Sequence, residues 1–221
     1  MTLLDFPGRV ACTLFAGGCN FRCPFCHNAS LVVGQMTESY SEEEILSYLK
    51  KRKALLDGVC ITGGEPLLRP DLKDFIIKIK ELGYEVKLDT NGSLPEKLSE
   101  LINEGLVDYV AMDVKSSPEK YRVAVGLEHF DTSAVEKSID ILIEGRADYE
   151  FRTTVVSPLH TLDDIDALCR RIKGAKRYFL QNFVDSGDLI GKGMTAHDSE
   201  TLSKMLETAK KYLPSAELRG V

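Results

Sequence analysis

A chain of 221 residues with 43% hydrophobic and 28% charged side chains has ordinary globular composition and enough length for one sizeable core. Its net charge of −6 would repel a polyanion over most of the surface, which excludes nucleic acid as the main partner. No apolar stretch approaches the ~20 residues that span a bilayer, and the start Met1-Thr-Leu-Leu-Asp5 lacks the basic and apolar regions of an export signal, so a cytoplasmic location without membrane attachment is expected.

Apolar, β-branched segments recur along the chain with helical patterns between them. The first strand pattern, over 10–15, runs into a loop that carries Cys19, Cys23 and Cys26. Ser41-Glu-Glu-Glu44 is a capping-box pattern opening a helix through Ile45, Leu46 and Leu49. A second strand, over 58–61, leads into Thr62-Gly63-Gly64-Glu65-Pro66. Pro70 suits a first helical turn, and Leu72, Phe75, Ile76 and Ile79 share one face of a helix that stops at Gly83. The third strand, over 85–88, ends in Asp89-Thr90-Asn91-Gly92 and is followed by a helix over 95–104. The fourth, over 109–112, ends in Asp113-Val114-Lys115 and precedes a helix over 132–144. Strands over 151–156 and 178–180 follow, with helices over 162–173 and 199–212.

Strands alternating with helices indicate parallel βαβ units. A complete eight-unit barrel takes about 250 residues, so the α/β pattern of six units predicts a partial (β/α)6 barrel, TIM-like and laterally open, in one domain over 1–221. An open doubly wound sheet is the alternative, because spacing does not determine strand order. In either architecture ligands bind at the carboxyl ends of strands, where all four motif segments stand.

The cysteine loop is one ligand short. A protein-bound iron-sulfur cluster or a structural zinc site closes with four ligands, whereas Cys19-x3-Cys23-x2-Cys26 supplies three. A reducing compartment favours metal binding or catalysis over disulfides. Cys12 and Cys60 lie inside apolar strand patterns and Cys169 on an apolar helical face, so each reads as a small buried hydrophobe. His27, next to a ligand, is expected to order the loop, and His129, His160 and His197 fall in loop-like segments without a role. An iron left without a protein ligand is open to a substrate's amino and carboxylate groups.

These residues resemble the radical S-adenosylmethionine enzymes, whose hallmark is Cys-x3-Cys-x-aromatic-Cys around a 4Fe-4S cluster, with Phe25 in the aromatic position. The resemblance implies that Cys19, Cys23 and Cys26 bind three irons and that S-adenosylmethionine chelates the fourth. Gly63-Gly64-Glu65 is similar to the family segment that holds the cofactor's amino group, glycines allowing close backbone approach and the carboxylate suiting an ammonium. Within the family, Cys26-His27-Asn28, Leu88-Asp89-Thr90-Asn91-Gly92 and Met112-Asp113-Val114-Lys115 resemble the activases of glycyl radical enzymes. Leu4-Asp5-Phe6-Pro7-Gly8 and Phe15-Ala16-Gly17-Gly18-Cys19 are similar to the activating proteins of anaerobic ribonucleoside-triphosphate reductase.

The same resemblance implies roles for the polar residues at the strand ends. Asp89, Asn91, Asp113 and Lys115 would line the cofactor pocket, Lys115 near the carboxylate, and in some activases the two aspartates and Thr90 also hold a monovalent cation. From strand position alone, Arg152 on the fifth strand reads as a contact to the cofactor or the partner's loop, or as a salt bridge to a neighbouring acid, and Gln181 and Asn182 end the sixth strand within reach of adenosine. A one-electron donor such as flavodoxin or ferredoxin would supply the electron that splits S-adenosylmethionine into methionine and a 5′-deoxyadenosyl radical. That radical would take hydrogen from a glycine α-carbon of the partner enzyme. The alternatives are an activase for a pyruvate formate-lyase-type enzyme, a small-molecule enzyme resembling 7-carboxy-7-deazaguanine synthase, and a non-catalytic zinc module or electron carrier.

Overall fold

The computed structural model describes residues 1–34 and 39–220. Strand β1 (Ala11–Ala16) is followed by the short helix α1 (Ala29–Val33) and by α2 (Glu42–Lys51). The capping box forms at the start of α2: the Ser41 side chain accepts from Glu44 N, and the Glu44 carboxylate accepts from Ser41 N at 2.7 Å. Strand β2 (Gly58–Gly63) leads through a 3₁₀ turn at Pro66–Leu68 to α3 (Leu72–Glu81). Pro70 sits in the turn before α3 and not within its first turn, because Asp71 already occupies the N-cap.

The alternation then continues with β3 (Glu85–Thr90), α4 (Pro95–Asn103), β4 (Tyr109–Asp113), the single turn α5 (Tyr121–Ala124), α6 (Ser133–Ile143) and β5 (Asp148–Val155). Helix α7 (Leu162–Arg171), β6 (Tyr178–Asn182), α8 (Ser199–Lys210) and β7 (Ala216–Arg219) complete the chain. All strands are parallel and pair in chain order from β1 to β7, and β1 does not meet β7. The sheet is therefore an open arc, as six units in this length imply. Among the described residues it has seven strands, not six; Ala-Glu-Leu-Arg over 216–219 is too short to announce itself by period, and its pairing with β6 decides it. Among the described residues no helix is long and apolar enough to cross a membrane.

The two faces of the sheet differ in chemistry. Val86, Leu88, Val110, Met112, Phe151 and Leu180 join the core between strands and helices. The residues alternating with them on β3, β4 and β5, among them Lys87, Asp89, Asp113, Glu150 and Arg152, share the opposite face. At the amino ends of the strands this inner face is stoppered by the chain's own start. Thr2 pairs antiparallel with Ala11, and Phe6, 3% exposed, packs with Ala11 and Tyr109 in a small separate cluster. Gly58 leaves the room, since a Cβ there would lie 2.8 Å from the Phe6 ring.

Candidate active site

The loop after β1 is tied down from every side by backbone hydrogen bonds. Gly18 N donates to Leu31 O at 2.8 Å, Glu65 N to Gly18 O at 2.9 Å, Arg22 N to Val125 O at 2.8 Å and Gly191 N to Pro24 O at 2.8 Å. The glycine pair explains how the β1 and β2 ends come so close. A Cβ on Gly64 would stand 1.9 Å from Gly18 O, and one on Gly63, where φ is +116°, 2.4 Å from Ala16 O. The close approach these glycines permit is thus to the cysteine loop itself.

The three thiols of this loop are free and do not pair with one another. Cys23 is buried, and Cys19 and Cys26 are partly buried. Cys19 Sγ accepts from Phe21 N at 3.3 Å and from the Asn91 side-chain amide at 3.8 Å, while Cys26 N donates to Cys23 O at 3.0 Å. Burial pushes the Cys23 thiol up to about 12, with Lys115 opposing; coordination to a metal deprotonates such a thiol outright. Among the described residues no three His, Cys, Asp or Glu side chains gather round one point as a single ion requires. Thiolates are the donors of iron-sulfur clusters, and Cys19, Cys23 and Cys26 are the residues that would hold one.

Glu65 welds the β2 loop to the β3 loop. It is 0% exposed, and its carboxylate accepts from Leu67 N at 3.1 Å, Thr90 Oγ1 at 2.9 Å and Asn91 N at 2.7 Å. Burial pushes this carboxyl up to about 7 against those three donors. Asn91 passes the connection on: its side-chain Nδ2 donates to Asn20 Oδ1 at 3.0 Å, and its side-chain Oδ1 accepts from Ser93 N at 2.9 Å.

Beside this junction lies a ladder of alternating charges across β3, β4 and β5. Lys87 pairs with Asp89 Oδ1; Arg152 donates to Asp89 Oδ2 at 3.2 Å and Asp113 Oδ1 at 3.0 Å; Lys115 reaches Asp113 Oδ2 at 3.1 Å. Burial would raise the Asp113 carboxyl, but Arg152 and Lys115 outweigh it and hold it at about 2. Arg152 thus makes the ion pairs with neighbouring acids that are one of its two readings. The ladder carries three cations against two carboxylates, so it has one net positive charge on offer to a ligand.

Sequence reasoning missed two supports. His160, read as a loop residue, is 1% exposed; its Nδ1 accepts from Val156 N at 3.1 Å, which leaves Nε2 to donate to Lys115 O at 2.8 Å. Its ring meets Phe25 edge-on at 5.9 Å, and Phe25 itself is 3% exposed. One side chain thus joins the β4 loop, the β5 end and the cysteine loop. The second support is the segment over 183–191, which crosses the cysteine loop from outside. Phe183 packs on His27 at 5.4 Å, and Asp188 accepts from Ser30 N at 3.1 Å and Ser30 Oγ at 2.8 Å. Asn182, which ends β6, bonds the His197 backbone, donating to its O at 3.1 Å and accepting from its N at 3.2 Å. No short-range pattern marks either support, though Lys87 could have been found, since it breaks an apolar strand two residues before Asp89.

Comparison with known proteins agrees with this geometry. The family model of the radical SAM superfamily matches residues 13–172. A protein of Methanocaldococcus jannaschii, named provisionally as a glycyl-radical enzyme activating enzyme, is 32% identical over 230 residues, covering 100% of this chain and 93% of that protein. Among solved structures, Streptococcus suis SuiB bound to its precursor peptide superposes with a TM-score of 0.75 at 16% identity, over 98% of this chain and 49% of SuiB. A domain of the pyruvate-formate lyase-activating enzyme of Bacteroides vulgatus superposes with a TM-score of 0.60 at 19% identity, over 74% of this chain and 99% of that domain. Such identities speak for the shared fold, while the sequence matches carry the lineage: this chain belongs to the radical SAM superfamily.

Proposed function

We propose that the chain is the activating enzyme of a glycyl radical enzyme, with an anaerobic ribonucleoside-triphosphate reductase as partner. The observation that carries the first part is the match, along the whole chain, to the Methanocaldococcus jannaschii protein of that provisional name. The choice of partner rests on the N-terminal segment over 4–19 and its resemblance to the activating proteins of that reductase.

In this reading Cys19, Cys23 and Cys26 would hold a 4Fe-4S cluster, leaving one position for the amino-acid end of S-adenosylmethionine. Once reduced by a one-electron donor, such a cluster would supply the electron for reductive cleavage of the sulfonium and so the oxidising power for hydrogen abstraction from a glycine α-carbon of the partner. The chain's own residues prepare that event. Gly63 and Gly64 bring the β2 loop against the cysteine loop, and Glu65 holds Thr90 and Asn91 in register beside it. Asp89, Asp113, Lys115 and Arg152, with Lys87, offer one surplus positive charge, which suits the ligand's carboxylate. The open side of the sheet between β1 and β7 suits entry of a loop from a large partner. A flavodoxin or ferredoxin is the expected electron donor.

The test is anaerobic. Reconstituted protein with dithionite and S-adenosylmethionine is expected to yield 5′-deoxyadenosine, and addition of the reductase is expected to produce the doublet electron-spin signal of a glycyl radical. Iron-replete protein that makes no 5′-deoxyadenosine would overturn the reading. A doublet obtained only with a formate-lyase-type enzyme would change the partner, and consumption of a purine precursor without any doublet would favour a small-molecule enzyme.

A further inference from the structure

Lys87 takes no part in the proposed chemistry beyond its charge, yet it is a lysine 1% exposed on the inner face of β3. Its ammonium reaches Asp89 Oδ1, with Cys60 Sγ at 3.7 Å. Arg152 takes the other oxygen of Asp89 at 3.2 Å and Oδ1 of Asp113 at 3.0 Å, and Lys115 takes Oδ2 of Asp113 at 3.1 Å. Each of the four carboxylate oxygens therefore already faces a cation that belongs to the chain. Thr90, the third group expected to hold a monovalent cation, is also engaged: Oγ1 donates to Glu65 Oε1 at 2.9 Å and accepts from Gly92 N at 3.1 Å.

A bound metal cation takes hard oxygen ligands that still have a lone pair to offer. Here an added ion would be a fourth positive charge beside three, set against two carboxylates in a partly desolvated site where like charges repel strongly. The residues present do not fit it. We infer that this chain works without a bound monovalent cation, because the Lys87 ammonium, together with the Arg152 guanidinium, is the built-in counter-ion that holds Asp89 and Asp113 in place. The inference rests on the reading of the chain as an S-adenosylmethionine enzyme, since the expectation of an ion comes from that resemblance.

The reconstituted protein is titrated with S-adenosylmethionine by calorimetry in potassium, sodium and choline chloride at equal ionic strength, and its thermal midpoint is followed in the same salts without ligand. Affinity is expected to agree within about twofold across the salts, whereas an ion coupled to the ligand typically changes it about fivefold or more. The midpoint is expected to show no saturable rise with potassium or sodium over choline. Lys87→Met removes the ammonium and keeps an unbranched stem; its affinity in choline is expected to fall and to recover, saturably, with potassium or sodium. Lys87→Arg keeps the charge and is expected to stay indifferent to the salt, which preserves the comparison if Lys87→Met does not fold. A gain of about fivefold or more for the unaltered protein in potassium or sodium, or a saturable rise of its midpoint, overturns the inference. Failure to bind S-adenosylmethionine in any salt overturns the underlying reading instead, and the ligand-free midpoints then still decide the ion question.

Discussion

Glu65 shows how much of the site rests on single buried groups. Its carboxylate is the acceptor for Leu67 N, Thr90 Oγ1 and Asn91 N, so Glu65→Ala strands three donors at once. An orphaned buried donor costs about 1–3 kcal/mol, and a loss of roughly 3 kcal/mol or more is expected in urea unfolding of the variant. A loss under about 1 kcal/mol would mean that water or rearrangement replaces the carboxylate. His160 makes the complementary case. His160→Phe keeps an edge contact with Phe25 but drops the hydrogen bonds to Val156 N and Lys115 O. Two lost bonds are worth about 2 kcal/mol, and the expected further sign is weaker S-adenosylmethionine binding, because the Lys115 backbone is no longer held. His160→Gln, with an acceptor and a donor of its own, is expected to recover part of that affinity.

At the scale of elements, two late segments complete what the first five strands begin. Strand β7 is clasped to β5 by Arg219, which donates to Glu150 Oε1 at 2.7 Å and Oε2 at 3.0 Å and lies 3.5 Å over the Phe179 ring. Burial would raise the Glu150 carboxyl, but Arg219 outweighs it and holds it below the usual carboxylate range. A carboxyl depressed in the folded state adds stability above its unfolded value of about 4.3, and that stability is lost as pH falls through the folded value. Arg219→Ala is therefore expected to flatten the fall of stability with acid below about pH 5, measured by urea midpoints across pH; an unchanged slope would deny the clasp its role. The segment over 183–191 acts on the cysteine loop. A Cβ on Gly191 would lie 2.5 Å from Pro24 Cβ, so Gly191→Ala must lift the segment from the loop. Faster loss of iron to a chelator, compared with the unaltered protein, is the expected result.

Across the whole molecule the two ends of the sheet divide their work. The amino ends of the strands hold Phe6, Ala11 and Tyr109, and the carboxyl ends hold the thiols, Glu65 and the Asp113–Lys115 end of the charge ladder. Truncation of a buried aromatic costs about 3–5 kcal/mol, so Phe6→Ala is expected to lower the unfolding free energy by roughly 3 kcal/mol. Cleavage of S-adenosylmethionine per folded molecule should stay unchanged, since Phe6 packs at the far end of β1 from the cysteine loop. Loss of cleavage in protein that still melts cooperatively would show that the stopper reaches the site.

The sequence by itself determined the alternation of strands and helices, the capping box at Ser41, the cysteine spacing and the polar segments that end β1 to β4. These signals act between neighbours a few residues apart, where backbone preference and side-chain period decide. Its length also implied an open arc, although the four residues of β7 carry too little period to be counted. Only the tertiary structure decided that Arg152 spans Asp89 and Asp113, 63 and 39 residues away, and that His160 holds the carbonyl of Lys115, 45 residues away. Such pairs exist only once parallel strands lie in register, because no local rule states which carboxylate a buried cation will meet. Register likewise turned Gly63 and Gly64 toward the cysteine loop, and it left Lys87 facing Asp89.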